Sequence, residues 1–214
     1  MRLFSNTVGR KNLMALSGQA LIAFVIVHLL GNFTVYSGAL NSYAERLHSL
    51  PLLVWSFRLI MLAVLTIHVL YGVLITLENR AAKPQAYAII KSQKATFASK
   101  NMIWTGSVIA AFLLYHLIQF TFSGVPGRDL FSRPDVFGMV VQGFSSLPVV
   151  LVYVASITAL FYHLSHGIQS SFQTLGMNSE AAMPFIMKSA VIISMVLFAG
   201  YSSIPLFILL GAVR

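Results

Sequence analysis

Apolar residues in this chain gather into five long runs separated by short polar stretches, rather than alternating with polar ones at a helical or strand period. The runs cover 12–36, 52–77, 101–122, 147–172 and 185–210. Each is long enough to cross a bilayer core of about 30 Å as a helix and too long for a barrel strand. A backbone in hydrocarbon must bond to itself, so the pattern predicts helices. Pro51, Pro148 and Pro184 stand at the entrances of the second, fourth and fifth runs, where a missing N–H does no damage. The expected fold is all-α: one integral-membrane domain over 1–214, a bundle of five transmembrane helices with no linker or low-complexity tract.

Composition agrees with the pattern. Hydrophobic residues make up 57% of the chain and charged ones 9%, against roughly 25% charged in soluble domains. The net charge of +9 would point to nucleic acid in a soluble protein. Here the basic residues sit between apolar runs and no basic domain exists to bind a duplex, so nucleic acid is excluded. Arg2, Arg10, Lys11, Arg80, Lys83, Lys91, Lys94, Lys100 and Lys188 fall on one side, and Arg46, Arg58, Arg128, Arg133 and Arg214 on the other. Nine against five places the N-terminus in the cytoplasm and the C-terminus outside. Arg10 and Lys11 precede an apolar run too long for a signal peptide, and no small-residue cleavage site follows, so the run is expected to remain as an anchor. The absence of cysteine excludes disulfides, C-x-x-C-H haem attachment and cysteine-ligated clusters in this chain.

Chemistry enters through histidine. His28, His68, His116 and His163 lie inside four different runs, and ionisable side chains inside a bilayer are functional candidates. At 1.5 Å per residue, His28 and His116 lie about 24 Å from the cytoplasmic end of their helices, and His68 and His163 about 14–15 Å from it. The four therefore form two level pairs about 10 Å apart. Two imidazoles facing across a bundle make a bis-histidine haem site, so the depths predict two b haems, stacked to carry electrons across the membrane. A proton relay in a haem-free transporter is the competing reading, but it usually recruits carboxylates, and none lies deep in any run.

Other residues take their meaning from these pairs. Gly18 and Gly106 each precede a histidine by ten residues, and Gly72 and Gly167 each follow one by four. All four fall about 8–9 Å from the cytoplasmic end and are expected to form a collar against the inner haem. His166 lies three residues after His163 and is the rival ligand on that helix; depth favours His163. Met61, seven residues before His68, is a gap-filling side chain rather than a ligand. Glu45 and His48, with Arg46 between them, precede the second run on the outer side and have the chemistry to accept quinol protons. The basic stretch 79–100, with Tyr87, Ile89 and Ile90 among its lysines, is a candidate docking loop for a soluble partner.

Several stretches carry a family resemblance: Val27-His28-Leu29-Leu30-Gly31-Asn32, Ser49-Leu50-Pro51-Leu52, His68-Val69-Leu70-Tyr71-Gly72-Val73, Tyr115-His116 and Phe161-Tyr162-His163-Leu164-Ser165-His166-Gly167. In this order and spacing the chain resembles the cytochrome b membrane anchor of succinate dehydrogenases and fumarate reductases, of the single-subunit, five-helix, dihaem type. The resemblance implies a proximal haem between His68 and His163 and a distal one between His28 and His116. It implies a flavoprotein with FAD and an iron–sulfur subunit on the cytoplasmic face of the cell's inner membrane, and it leaves room for a dimer of such heterotrimers. Quinone, often menaquinone, would react near the distal haem, where Glu45 is the nearest matching acid. Some relatives carry a glutamate two residues before the fourth-helix ligand; here that position is Phe161, which puts a proton path along that helix in doubt. A dihaem anchor for a hydrogenase or formate dehydrogenase is the alternative within electron transfer. The chain has no nucleotide or flavin fingerprint of its own.

Overall fold

The computed structural model describes residues 6–82, 96–122 and 135–214, and all regular structure among them is helical. Arg2, the loop residues Lys83, Tyr87, Ile89, Ile90, Lys91 and Lys94, and the charges Arg128, Asp129 and Arg133 lie outside the described residues. In chain order the elements are α1 (Thr7–Asn32), α2 (Leu40–His48), α3 (Pro51–Ala81), α4 (Phe97–Lys100), α5 (Met102–Leu117), α6 (Val136–Phe144), α7 (Leu147–Thr174) and α8 (Ala182–Leu209). A 3-10 turn, Phe33–Val35, extends α1, and a π turn, Ile118–Phe122, extends α5. Helices α1, α3, α5, α7 and α8, with these extensions, are long and apolar enough to cross a membrane. This is a five-span membrane protein.

Local chemistry sets the helix ends. The Asn6 side chain caps α1 by accepting from the Gly9 N–H at 2.6 Å. Pro51 and Pro148 stand in the first turns of α3 and α7. Gly176 and Gly211, at φ 89° and 73°, follow the ends of α7 and α8 in a conformation that other residues resist. Helices α1 and α3 outrun their apolar runs the furthest: α1 starts at Thr7 and α3 continues to Ala81. At 31 residues α3 is about 46 Å long, well beyond the hydrocarbon, so its end is free to carry charge. Glu78 there pairs with Arg10 of α1.

Helix α1 packs on α3 and α7, and α7 packs on α5 and most extensively on α8, whereas α3 and α5 barely meet. The four helices α3, α1, α7 and α5 thus form a ring that is closed between α1 and α7 and loose between α3 and α5. Helix α8 seals the closed side with a stripe of buried residues, Ile186, Ala190, Ser194, Leu197, Ile204 and Ile208, at helical spacing. Tyr201 ties α8 to α1 by donating to the Val25 carbonyl at 2.6 Å. Gln19 of α1 donates to Ser171 of α7. Helix α3 buries only Ile75, and α5 buries nothing; their outward apolar faces suit lipid. The bundle has a near end, where α1, α5 and α8 begin, and a far end. At the far end the short helices α2 and α6 are clasped: the Asn41 amide donates to Asp135 Oδ1 at 3.0 Å, and the Phe137 N–H donates to Asn41 Oδ1 at 2.8 Å.

Candidate functional site

The four membrane histidines converge in twos. The His28 and His116 rings, from α1 and α5, have centroids 6.1 Å apart and planes at 89°. The His68 and His163 rings, from α3 and α7, have centroids 6.2 Å apart and planes at 73°. Each pair joins helices on opposite corners of the ring. The lower pair is level with Met14 to Gly18 of α1, through the contacts of His68. From Gly18 to His28 the helix rises about 15 Å. The levels are thus somewhat further apart than the roughly 10 Å read from run ends, because contacts fix height directly while run ends miss the real helix termini.

Hydrogen bonds determine which nitrogen of each ring is free. His68 Nδ1 lies 3.1 Å from the Met14 carbonyl. A carbonyl only accepts, so the ring proton is on Nδ1 and Nε2 keeps its lone pair. His163 Nδ1 lies 3.2 Å from the Thr105 hydroxyl. That hydroxyl is 3.1 Å from each of the Asn101 and Met102 carbonyls, so its own proton is engaged there and it accepts from His163. His116 Nδ1 donates to the Tyr153 hydroxyl at 3.1 Å, which in turn donates to Gln119 Oε1 at 3.0 Å. All three rings hold the tautomer of a metal-ligating imidazole, the second nitrogen fixed by an outer partner. His28 is held by rings instead, stacked on Phe24 at 5.3 Å and tilted against Tyr201 at 6.3 Å.

The spacing suits one metal per pair. With metal–imidazole bonds of about 2.0–2.1 Å, a metal between two rings sets their centroids about 6.3 Å apart. Among the described residues no third His, Asp or Glu joins either pair. Two imidazoles are too few to hold a bare ion, so the arrangement fits a metal that brings its own equatorial ligands.

The glycines divide into two kinds. A Cβ on Gly18 would stand 3.1 Å from His68 Cε1, and one on Gly106 would stand 3.4 Å from His163 Cε1. These two make room for an imidazole from the neighbouring helix. At Gly72 and Gly167 the nearest atoms are Met14 Sδ and Met102 Cε, each at 4.0 Å, so neither touches a histidine ring.

A repeat explains the symmetry. Met14, Ser17, Gly18, Phe24 and His28 on α1 recur at constant offset as Met102, Thr105, Gly106, Phe112 and His116 on α5. His68 and Gly72 on α3 recur as His163 and Gly167 on α7. The repeat relates α1–α3 to α5–α7, and each histidine pair takes one ring from each half. Sequence reading singled out the glycines and histidines of this repeat but not Met14, Ser17, Met102 or Thr105, which the same in-phase comparison finds. Tyr153 and Gln119 carry no such signal; only folding brings them beside His116.

The remaining candidates lie apart from the pairs. His166 turns into a different cavity, with Gln169, Lys188 and Thr96. Met61 is half-buried about two turns along α3 from His68. Phe161 packs in an aromatic cluster with Phe198 at 6.0 Å. Glu45 and His48 sit on helix α2 rather than on an irregular loop, exposed at the far end, and His48 Nδ1 donates to the Ala44 carbonyl at 2.8 Å. Arg58 lies over the Trp55 ring at 5.2 Å.

Comparison with known proteins gives one finding. The family model described as the succinate dehydrogenase/fumarate reductase transmembrane subunit matches residues 76–201, more than half of the chain. The matched span includes His116 and His163. No curated protein and no solved structure matches significantly.

Proposed function

The chain belongs to the succinate dehydrogenase/fumarate reductase transmembrane-subunit family, and from that premise we propose that it is a dihaem electron-transfer anchor linking quinone to an iron–sulfur partner. As a member of that family it is a membrane-anchor subunit of such a complex. Its partners in this reading are an iron–sulfur subunit docked at the near end and a flavoprotein with FAD that holds the dicarboxylate site. Basic residues concentrated at the near end favour its facing the cytoplasm, in the inner membrane of the cell.

The observation that carries the haem assignment is the pair of imidazole contacts at 6.1 and 6.2 Å, with lone pairs kept on Nε2 of His68, His116 and His163. His68 and His163 would hold the proximal iron, and His28 and His116 the distal one. Bound haem supplies one-electron storage at each level. The chain's own residues do the rest. Met14, Thr105 and Tyr153 fix ring tautomer and orientation, and Gly18 and Gly106 let His68 and His163 lie flush against the neighbouring helix. Helix α8 and the aromatic residues around His116 (Phe112, Phe120 and Tyr153) keep water from the pairs. At the far end, Glu45 and His48 on α2 are the groups in this reading that exchange protons with quinone, menaquinone included. A hydrogenase or formate dehydrogenase anchor would need the same pairs, but family membership favours the dicarboxylate complex. The test is a reduced-minus-oxidised spectrum of the purified complex with haem quantified per chain. Two b haems are expected; a colourless protein would leave the transporter reading standing.

A further inference from the structure

A second site lies outside the histidine pairs. Between the start of α4, the near-end half of α7 and the first turns of α8 is a cavity of about 310 Å³. Thr96, Ser165, His166, Gln169 and Lys188 supply its polar lining, and among the described residues no carboxylate lines it. Lys188 lies six residues into α8, about 9 Å along the helix, which puts the cavity at headgroup depth. Among the described residues Lys188 has no ion-pair partner. Lys188 is exposed there, and a phosphate at the interface would supply the counter-charge that the described residues do not.

The groups around it are donors. The Gln169 amide donates to His166 Nδ1 at 3.5 Å, which leaves the ring proton on Nε2. With that tautomer His166 presents Nε2–H to the cavity as a donor. The Thr96 hydroxyl accepts from the Ser99 N–H and keeps its own proton to donate. From the mouth of the cavity Met187, Val191 and Met195 run down α8 at four-residue spacing, 44%, 38% and 54% exposed. A charged donor pocket therefore opens onto an apolar track along the span.

We propose that this cavity binds the headgroup of an anionic phospholipid from the near-end leaflet. The phosphodiester oxygens accept from Lys188, His166 Nε2–H, Gln169 and Thr96, and an acyl chain lies along Met187, Val191 and Met195. Basic pockets between spans on the cytoplasmic side are a known mode of lipid recognition. A neutral quinone head would leave the Lys188 charge uncompensated, whereas a phosphate neutralises it through charge-assisted bonds. The inference rests on the membrane fold and on the proposed cytoplasmic facing of the near end, and is independent of the haem assignment.

The test uses the whole purified complex, stripped of lipid in detergent and then offered phosphatidylglycerol or phosphatidylcholine in nanodiscs, with retained lipid counted by native mass spectrometry. One phosphatidylglycerol per chain should be retained in preference to phosphatidylcholine. Lys188→Gln and His166→Gln should each lower that retention about five- to tenfold, and Lys188→Arg should restore most of it. Equal retention of the two lipids, or full retention in Lys188→Gln, would overturn the proposal. So would complete displacement by millimolar inorganic phosphate, which marks a free-anion site, or loss of bound menaquinone rather than phospholipid in Lys188→Gln.

Discussion

An imidazole inside a membrane is ambiguous until its hydrogen-bond partners are known. Three of the four paired rings point an Nδ1 proton at an oxygen, and the strongest case is His116, where Tyr153 accepts and is itself held by Gln119. Tyr153→Phe removes that acceptor without opening a cavity. Changes to such outer partners typically weaken metal binding about 10- to 100-fold, so haem titration should show that loss at the distal level with the proximal level intact. Glycine makes a separate prediction. Gly18→Ala puts a methyl group 3.1 Å from His68 Cε1, and the ring must move. The proximal haem spectrum should broaden or vanish. Gly72→Ala meets no protein atom nearer than 4.0 Å, so where this glycine packs against the inner haem the added methyl group should lower proximal-haem occupancy without displacing His68.

Among the elements, the far-end clasp of α2 and α6 is sensitive to acid. The Gly138 N–H and the Asn41 amide both donate to Asp135 and hold its carboxyl below the ordinary value of 3.8. Because the folded value is depressed, the clasp's contribution is complete above 3.8 and is lost as pH falls through the folded value. Amide exchange at Phe137 and Gly138 should accelerate in that acid window and stay protected above it; Asn41→Ala should accelerate exchange at Phe137 at every pH. This clasp was not legible in the sequence. Helices of nine residues carry little periodicity, and Asn41 and Asp135 are 94 positions apart, so nothing local marks them as partners. Glu45 and His48, placed by the sequence only before the second run, are helical for the same unmarked reason.

For the molecule as a whole, the five spans were legible because hydrocarbon leaves a chain few options, and run lengths alone disclose them. The depths of the four histidines in their runs likewise paired the rings that meet. What the sequence concealed depends on tertiary approach: Tyr153 against His116, Tyr201 of the histidine-free α8 against His28, and the unequal contacts that leave the ring loose between α3 and α5. His166 is instructive in the same way. Its place three residues from His163 made it a rival ligand, and only the fold turns it towards Lys188. The repeat ties these levels together, since each half of the chain gives one ring to each pair.

The measurement that bears most directly on this account is haem content and optical spectrum of the purified complex in four single variants, His28→Ala, His68→Ala, His116→Ala and His163→Ala. Losses should fall into two classes: His28→Ala and His116→Ala lose one and the same haem, and His68→Ala and His163→Ala lose the other. Four unrelated spectra, or two haems persisting in any of these variants, would contradict it.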